Sequence, residues 1–326
     1  MHLEDVNVQG FKSFSQKTQM SFQPGISVII GNNGVGKSNI LDAVVWAMGE
    51  DDILKIRCHK PAELFFIGSK DSPPAERIRG GLNFKQGTEK TAPGVQVVRE
   101  LTRGGDSFYF IDGAAVDRSD YRKCLAEFNL DDALKTIIKQ EQINDILMLD
   151  PVQRRRRIAR LIDIKNEADF EARITTEIAP KFESYLQYLF PEGNGALQSV
   201  SRNGEMGLDI EVNIRGDRKR KAHQLSGGEK SVTSLALQLA VFGQLKSPIF
   251  LLDEVEPALD YTNHKSMQAL LKSLAENKQL IMITHLRSTI QLANTVHGIR
   301  TRMDGSSFMK FYFAMDERLL RLYKCC

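Results

Sequence analysis

Cysteine is scarce: the 326 residues hold four, Cys58, Cys124, Cys325 and Cys326, and no two make a C-x-x-C pair. This argues against a disulfide framework and a paired-cysteine zinc site, so reduced thiols are expected. Long apolar runs are missing too. No stretch of 18 apolar residues occurs, and the first residues lack a basic segment running into a continuous apolar core. A membrane span and a signal peptide are therefore not expected, and an intracellular chain is. With 24 glycines, 10 prolines, 42% hydrophobic and 26% charged residues, the composition excludes collagen-like and disordered polymers. Neither sign of charge dominates: 44 Lys+Arg against 41 Asp+Glu leaves +3. Any nucleic-acid surface must then be a local patch. The length allows two or three domains, or one large composite domain.

Three short apolar runs, residues 26–30, 249–252 and 280–283, are bounded by Pro, Gly or polar residues. They read as strands buried on both faces, the centre of a parallel sheet. After the first run, Ile40, Leu41, Val44 and Met48 share one helical face and Gly49 offers a stop; residues 231–245 repeat the pattern. Residues 1–30 and 82–113 alternate more loosely around Gly-Gly and Asp-Gly turns, which predicts antiparallel strands. The fold expected is α/β, a mostly parallel core with an antiparallel flank. Residues 131–188 contain no glycine and only Pro151 and Pro180, with apolar residues at helical spacing, so two or more helices are expected there. The "PEGNG" at residues 191–195 marks a boundary. No solenoid-period repeat is present.

Gly31-Asn32-Asn33-Gly34-Val35-Gly36-Lys37-Ser38 matches G-x-x-x-x-G-K-[ST] between the first strand and the helix opening at Asn39. Glycines let successive N–H groups curl around a phosphate, Lys37 reaches the β/γ-phosphates and Ser38 ligates Mg²⁺, which points to ATP. The run 249–252 leads into Asp253-Glu254. Asp253 would direct the metal and Glu254 would polarise the attacking water. Leu225-Ser226-Gly227-Gly228-Glu229 opens another helix and forms a second anion cradle. One nucleotide does not need two cradles, so each nucleotide is expected between the P-loop of one copy and the Ser-Gly-Gly of another.

These motifs, with "GFKSF" at residues 10–14, Gln140, "DEVEPALD" and "THL" at residues 284–286, resemble the ATPase head of structural-maintenance-of-chromosomes (SMC) proteins, of the ABC class. The resemblance covers nearly the whole chain. It implies that Gln140 completes the Mg²⁺ shell, that His285 is the switch histidine, that Asp260 reaches across a dimer, and that Arg57 lies over the nucleotide phosphates. Two positions depart from the family pattern: Glu141 stands where Gly usually follows the glutamine, and Cys58-His59 where Gly-Gly often follows the arginine. Glycine would permit φ > 0 and close phosphate approach, and these residues do so poorly.

Family members separate the two motif halves by a long coiled coil and hinge, whereas here about 50 residues follow Gln140. The expected organisation is an N-terminal lobe (1–150), a short helical coiled-coil stub (151–190, junction near 163–171) and a C-terminal lobe (191–326). The resemblance implies ATP hydrolysis coupled to head dimerisation, a kleisin partner, a DNA-embracing chromosome-organising complex, and a cytoplasmic, chromosome-associated location in nucleoid or nucleus. Residues 308–313 and 316–323 are candidates for the kleisin surface. Basic runs at Arg154, Arg155, Arg156 and Arg157 with Arg160, and at Arg218, Lys219, Arg220 and Lys221, are candidates for sequence-independent contact with double-stranded DNA. Two alternatives use the same residues: the head of a double-strand-break repair ATPase, and a DNA-binding scaffold that takes ATP as a conformational ligand with little hydrolysis.

Overall fold

The computed structural model describes residues 1–314 apart from 88, 90, 215, 217 and 256–263. The first part of the chain runs β1 (His2–Gln9), β2 (Thr18–Ser21), β3 (Ile26–Ile30), α1 (Lys37–Ala47), β4 (Arg77–Lys85), β5 (Gly94–Thr102), β6 (Ser107–Ile111), β7 (Ala114–Val116), α2 (Arg118–Glu127), α3 (Leu130–Ala133) and β8 (Ile137–Lys139). Then follow α4 (Asp145–Met148), α5 (Pro151–Leu161), α6 (Glu167–Arg173), α7 (Ala179–Leu189), β9 (Asn194–Arg202), β10 (Glu205–Asn213), β11 (Arg220–Lys221) and α8 (Gly227–Phe242). The last part holds β12 (Ile249–Asp253), α9 (His264–Ala275), β13 (Gln279–Ile283), α10 (Arg287–Ile290), β14 (Thr295–Thr301) and β15 (Ser307–Ala314). Two units divide it: residues 1–137, 247–253 and 275 onward form the first, and residues 138–246 with 254–274 the second.

The first unit carries two sheets. One runs in the order β15-β14-β3-β13-β12, with β14, β3, β13 and β12 parallel and β15 antiparallel at the edge. The three apolar runs are its central strands, and every residue of β12 and β13 is buried, as strands covered on both faces require. The second sheet, β2-β1-β4-β5-β6-β7, is antiparallel throughout, matching the loosely alternating segments. Helix α1 buries nine of its 11 residues. Its Ile40, Leu41 and Trp46 share one apolar cluster with Leu3, Leu82 and Val97 of the antiparallel sheet and Ile29, Leu251 and Ile281 of the parallel one. A helix apolar on nearly all sides is thus accommodated between two sheet faces.

In the second unit β11-β10-β9 form an antiparallel sheet. Leu208, Ile210 and Val212, alternate residues of β10, are fully buried on one face. Helix α5 packs on β10 and α7 on β9 and α8, with Phe182, Leu186 and Leu189 of α7 buried. The helical reading of residues 131–188 holds for α3 to α7 and is corrected at β8, where the β-branched Ile137 and Ile138 are extended. A π turn at Ile174–Ile178 joins α6 to α7. Pro180 lacks the N–H that would continue the ordinary helical ladder there.

Arg154, one of the candidate DNA-contacting arginines, is 3% exposed. Its guanidinium donates to the carbonyls of Ile146 (3.0 Å), Leu147 (2.9 Å), Leu149 (2.7 Å) and Leu208 (2.6 Å), so it fastens the α4–α5 turn to β10. The corrected role is structural: a buried arginine survives only where its donors are met, and here backbone acceptors meet them. Arg155 lies 4.6 Å from the Phe170 ring centroid, and Arg156 pairs with Glu205 at 2.8 Å.

Two stability predictions follow from this packing. Arg154→Ala strands the four carbonyls and should lower unfolding free energy by about 3–5 kcal/mol in urea titration, with Arg154→Lys recovering little because one ammonium cannot reach them all. His297, on β14, is fully buried between the rings of Phe22 (4.7 Å) and Tyr312 (5.2 Å). Burial, outweighing a weaker upward pull from the Ser21 backbone, pushes its pKa down to about 4. The unfolded chain therefore binds the proton more readily. Stability should be full above pH 6.5 and fall by about 3 kcal/mol as pH drops toward 4, while His297→Phe should flatten that part of the pH–melting profile.

Candidate functional site

The parallel strands β3, β13 and β12 end side by side, and the residues just past their carboxyl ends are the ones that the motifs single out. This is where open α/β sheets place ligands. From β3 the chain turns through residues 31–36 into α1. Gly36 sits at φ +93°, and a Cβ there would run into the hydroxyls of Ser13 and Ser307. Both serines brace the loop: Ser307 Oγ donates to Val35 O at 2.7 Å, Ser307 N to Ser13 O at 2.7 Å, and Asn39 Nδ2 to Ser13 Oγ at 2.8 Å. A Cβ on Gly31 would stand 2.5 Å from Ile299 O.

Lys37 is 5% exposed and its Nζ donates to Gly31 O (3.0 Å) and Asn32 O (3.1 Å). The same nitrogen stands 3.1 Å from His285 Nε2, just beyond the end of β13. Ser38 Oγ donates to Asp253 Oδ1 at 3.1 Å, so the first turn of α1 meets the end of β12. A hydroxyl and a carboxylate oxygen in contact are the donor set a hard cation takes, and Mg²⁺ completes such a pair with waters and substrate phosphates.

Arg57 adds a second cation. It belongs to the segment after α1 and has φ +58°, whereas among the described residues Cys58, His59 and Glu141 are not at positive φ. The left-handed turn that glycine was expected to serve thus falls on the arginine itself, and the departures at Cys58-His59 do not block it. Its Nη1 donates to Asp253 Oδ2 at 3.3 Å, and its Nε and Nη2 to Asp42 Oδ2 at 3.2 and 2.8 Å. Motif reading missed Asp42, Lys12, Ser13 and Ser307. "GFKSF" contains two of them: Phe11 and Phe14 are fully buried, which leaves Lys12 and Ser13 facing the site.

The remaining residues lie in the second unit or outside the described part. Glu254 follows Asp253 directly and takes φ +50°, a left-handed conformation that costs a non-glycine residue about 1–3 kcal/mol and is concentrated at functional sites. Gln140 opens a single 3₁₀ turn, Gln140–Gln142. Ser226 caps α8: its Oγ accepts from Glu229 N at 3.4 Å while Glu229 Oε2 accepts from Ser226 N at 2.8 Å. Leu225 is buried beneath this capping box, and Ser226 and Gly227 are exposed. Asp260 and residues 316–323 lie outside the described residues. In the second basic run Lys221 pairs with Asp209 at 3.1 Å and Arg220 with Glu229 at 3.6 Å, while Arg218 and Lys219 are exposed.

A P-loop strand, an aspartate strand and a histidine strand in one parallel sheet, flanked by an antiparallel sheet, define an ABC-type nucleotide-binding head. The model of the RecF/RecN/SMC N-terminal domain matches residues 2–307, and the chain belongs to that family as a head of the SMC type. The chromosome partition protein Smc of Mycolicibacterium paratuberculosis is 31% identical over 159 residues, 48% of this chain and 13% of that protein. That of Desulfitobacterium hafniense is 26% identical over 302 residues, 84% of this chain and 25% of that protein. The chain thus spans 13% and 25% of the length of these two relatives. A crystal structure of an Smc head bound to the C-winged helix domain of ScpA is 27% identical, with a TM-score of 0.84 over 98% of this chain and 100% of that one.

Gly36→Ala should weaken nucleotide binding between about fivefold and a hundredfold, since it adds backbone strain and displaces Ser13 and Ser307. Gly34→Ala is the control: φ is +79° but nothing lies within 4 Å of the added Cβ, so only the backbone cost remains. Titration of both variants with a fluorescent ATP analogue checks the order.

Proposed function

We propose that the chain is an ATP-binding and ATP-hydrolysing head that pairs with a second head around two nucleotides and separates after hydrolysis. The observation that carries this reading is the contact of Ser38 with Asp253 beside Lys37 and His285, at the ends of three adjacent parallel strands. Ser38 and Asp253 would hold Mg²⁺, which supplies charge neutralisation at the phosphates when bound. The chain's own residues do the rest. Lys37 exchanges the carbonyls of Gly31 and Asn32 for phosphate oxygens, and the loop N–H groups of residues 31–38 orient the triphosphate. Glu254 takes the proton of the attacking water, and His285 holds the γ-phosphate end of the site. Gln140 and Asp260 are assigned supporting roles at the metal and across the dimer.

Pairing is supported by the exposed N-terminus of α8. Ser226 N is taken by the Glu229 carboxylate, so the anion cradle is assigned to the first-turn amides of Gly227 and Gly228. A nucleotide seated on the P-loop of one copy would be closed by that cradle from another. The Smc head in the solved complex binds a winged-helix domain of ScpA. In this chain a kleisin surface is assigned to β15, an edge strand with exposed Phe311, Tyr312 and Phe313. Edge strands offer unpaired backbone groups to a partner.

The relatives named as chromosome partition proteins support assigning this head to a DNA-embracing complex on the chromosome. Among the basic runs, Arg157, Arg160, Arg218 and Lys219 are exposed and suit phosphate contact. Among the described residues no helix is long and apolar enough to cross a membrane.

ATP turnover measured against protein concentration, for wild type and Glu254→Gln together, tests the proposal. The specific rate should rise with concentration, and Glu254→Gln should retain ATP binding while turnover falls by about 10²–10⁴-fold. A rate independent of concentration would leave the site complete within one chain. Undiminished turnover in the variant would remove Glu254 from its role.

A further inference from the structure

Two side chains outside the nucleotide motifs converge on Arg57. Asp42, on α1, is 2% exposed. Its Oδ2 accepts from Arg57 Nη2 (2.8 Å), Arg57 Nε (3.2 Å) and Lys12 Nζ (2.6 Å). Lys12 also donates to the carbonyl of Ile56, the residue before Arg57. Lys12 therefore grips both the carboxylate and the backbone that presents the arginine. A buried carboxylate needs a cation, and one would serve for charge alone. The second has a geometric effect. With Nε and Nη2 engaged on Asp42, the guanidinium plane is fixed along one edge and its other edge, Nη1, is turned onto Asp253 at 3.3 Å. Without that grip a long side chain 32% exposed would sample many rotamers.

We infer that Asp42, locked by Lys12, is a positioning residue that aims the Nη1 edge of Arg57 into the nucleotide site, where its anionic partner is Asp253 in this structure and a phosphate oxygen of a nucleoside triphosphate once one binds. This rests on the nucleotide reading above and adds two residues to it. Asp42 and Lys12 touch no substrate themselves and act only through Arg57. The edge held by Asp42 stays in place when the other edge changes partner, so no reorganisation of the segment 53–58 is required on binding.

The test is a double-mutant cycle on the whole chain, read as ATP affinity by equilibrium titration with a fluorescent analogue. Asp42→Asn should weaken binding between about threefold and a hundredfold in the wild-type background, and by less than about twofold in an Arg57→Ala background. A merely structural role would give equal losses in both, and equal losses overturn the inference, as does an unchanged affinity in the wild-type background. Should Asp42→Asn leave Lys12 buried without its acid and fail to fold, Lys12→Met with Asp42→Asn removes both charges and carries the same expectation. A wild-type chain that binds no ATP would instead overturn the nucleotide reading itself, and the two failures are thereby distinguished.

Discussion

A phosphate-binding loop has to keep its amides turned toward a ligand, so its own backbone bonds cannot be what holds it. In this head the holding is done from outside. Ser13 and Ser307 close over Gly36, and Asn39 ties the first turn of α1 to Ser13. The buried Phe11 and Phe14 root the Ser13 segment in the core, where the Phe11 ring lies 5.7 Å from that of Trp46. Ser307 is the first residue of β15, so the brace comes from both ends of the chain. Three strand ends then have only to be in register for lysine, histidine, serine and aspartate to meet.

The charges around that loop are arranged in shared pairs. Asp253 takes Ser38 on one oxygen and Arg57 on the other; Asp42 takes Arg57 and Lys12 on one oxygen. Each acid is nearly excluded from solvent, and each has a neighbour able to neutralise it. A site so built tolerates the loss or arrival of a cation or anion without leaving a buried charge exposed to an apolar surround. The distant Arg99 repeats the device structurally: it binds the carbonyls of Trp46 and Glu50 and the carboxylate of Asp51 while stacking 4.8 Å from the Trp46 centroid, which holds the chain as it leaves α1.

The fold class and the centre of the site were legible because each rests on a local pattern: apolar runs for buried strands, a glycine-rich loop before a helix, acids at a strand end. Asp42 and Lys12 were not, because 30 positions separate them from each other and 15 separate Asp42 from Arg57, and no spacing rule joins them. Arg154 was misread for a related reason. A run of four arginines looks uniform in sequence, but helix periodicity sends the first of them inward with Ile158, toward carbonyls that only the folded chain supplies. The glycine argument at Cys58-His59 failed by one residue, since the left-handed turn falls on Arg57.

The strand that carries the P-loop, residues 26–30, has β13 on one side and β14 on the other, residues 279–283 and 295–301. About 250 positions separate that strand from β13, so synthesis at about 5–20 residues per second makes the wait for a sheet neighbour at least about 12–50 seconds. Until then the loop has the Ser13 and Asn39 contacts but neither its sheet neighbours nor the Ser307 brace. The nascent N-terminal half should therefore hold its loop less firmly than the joined head does.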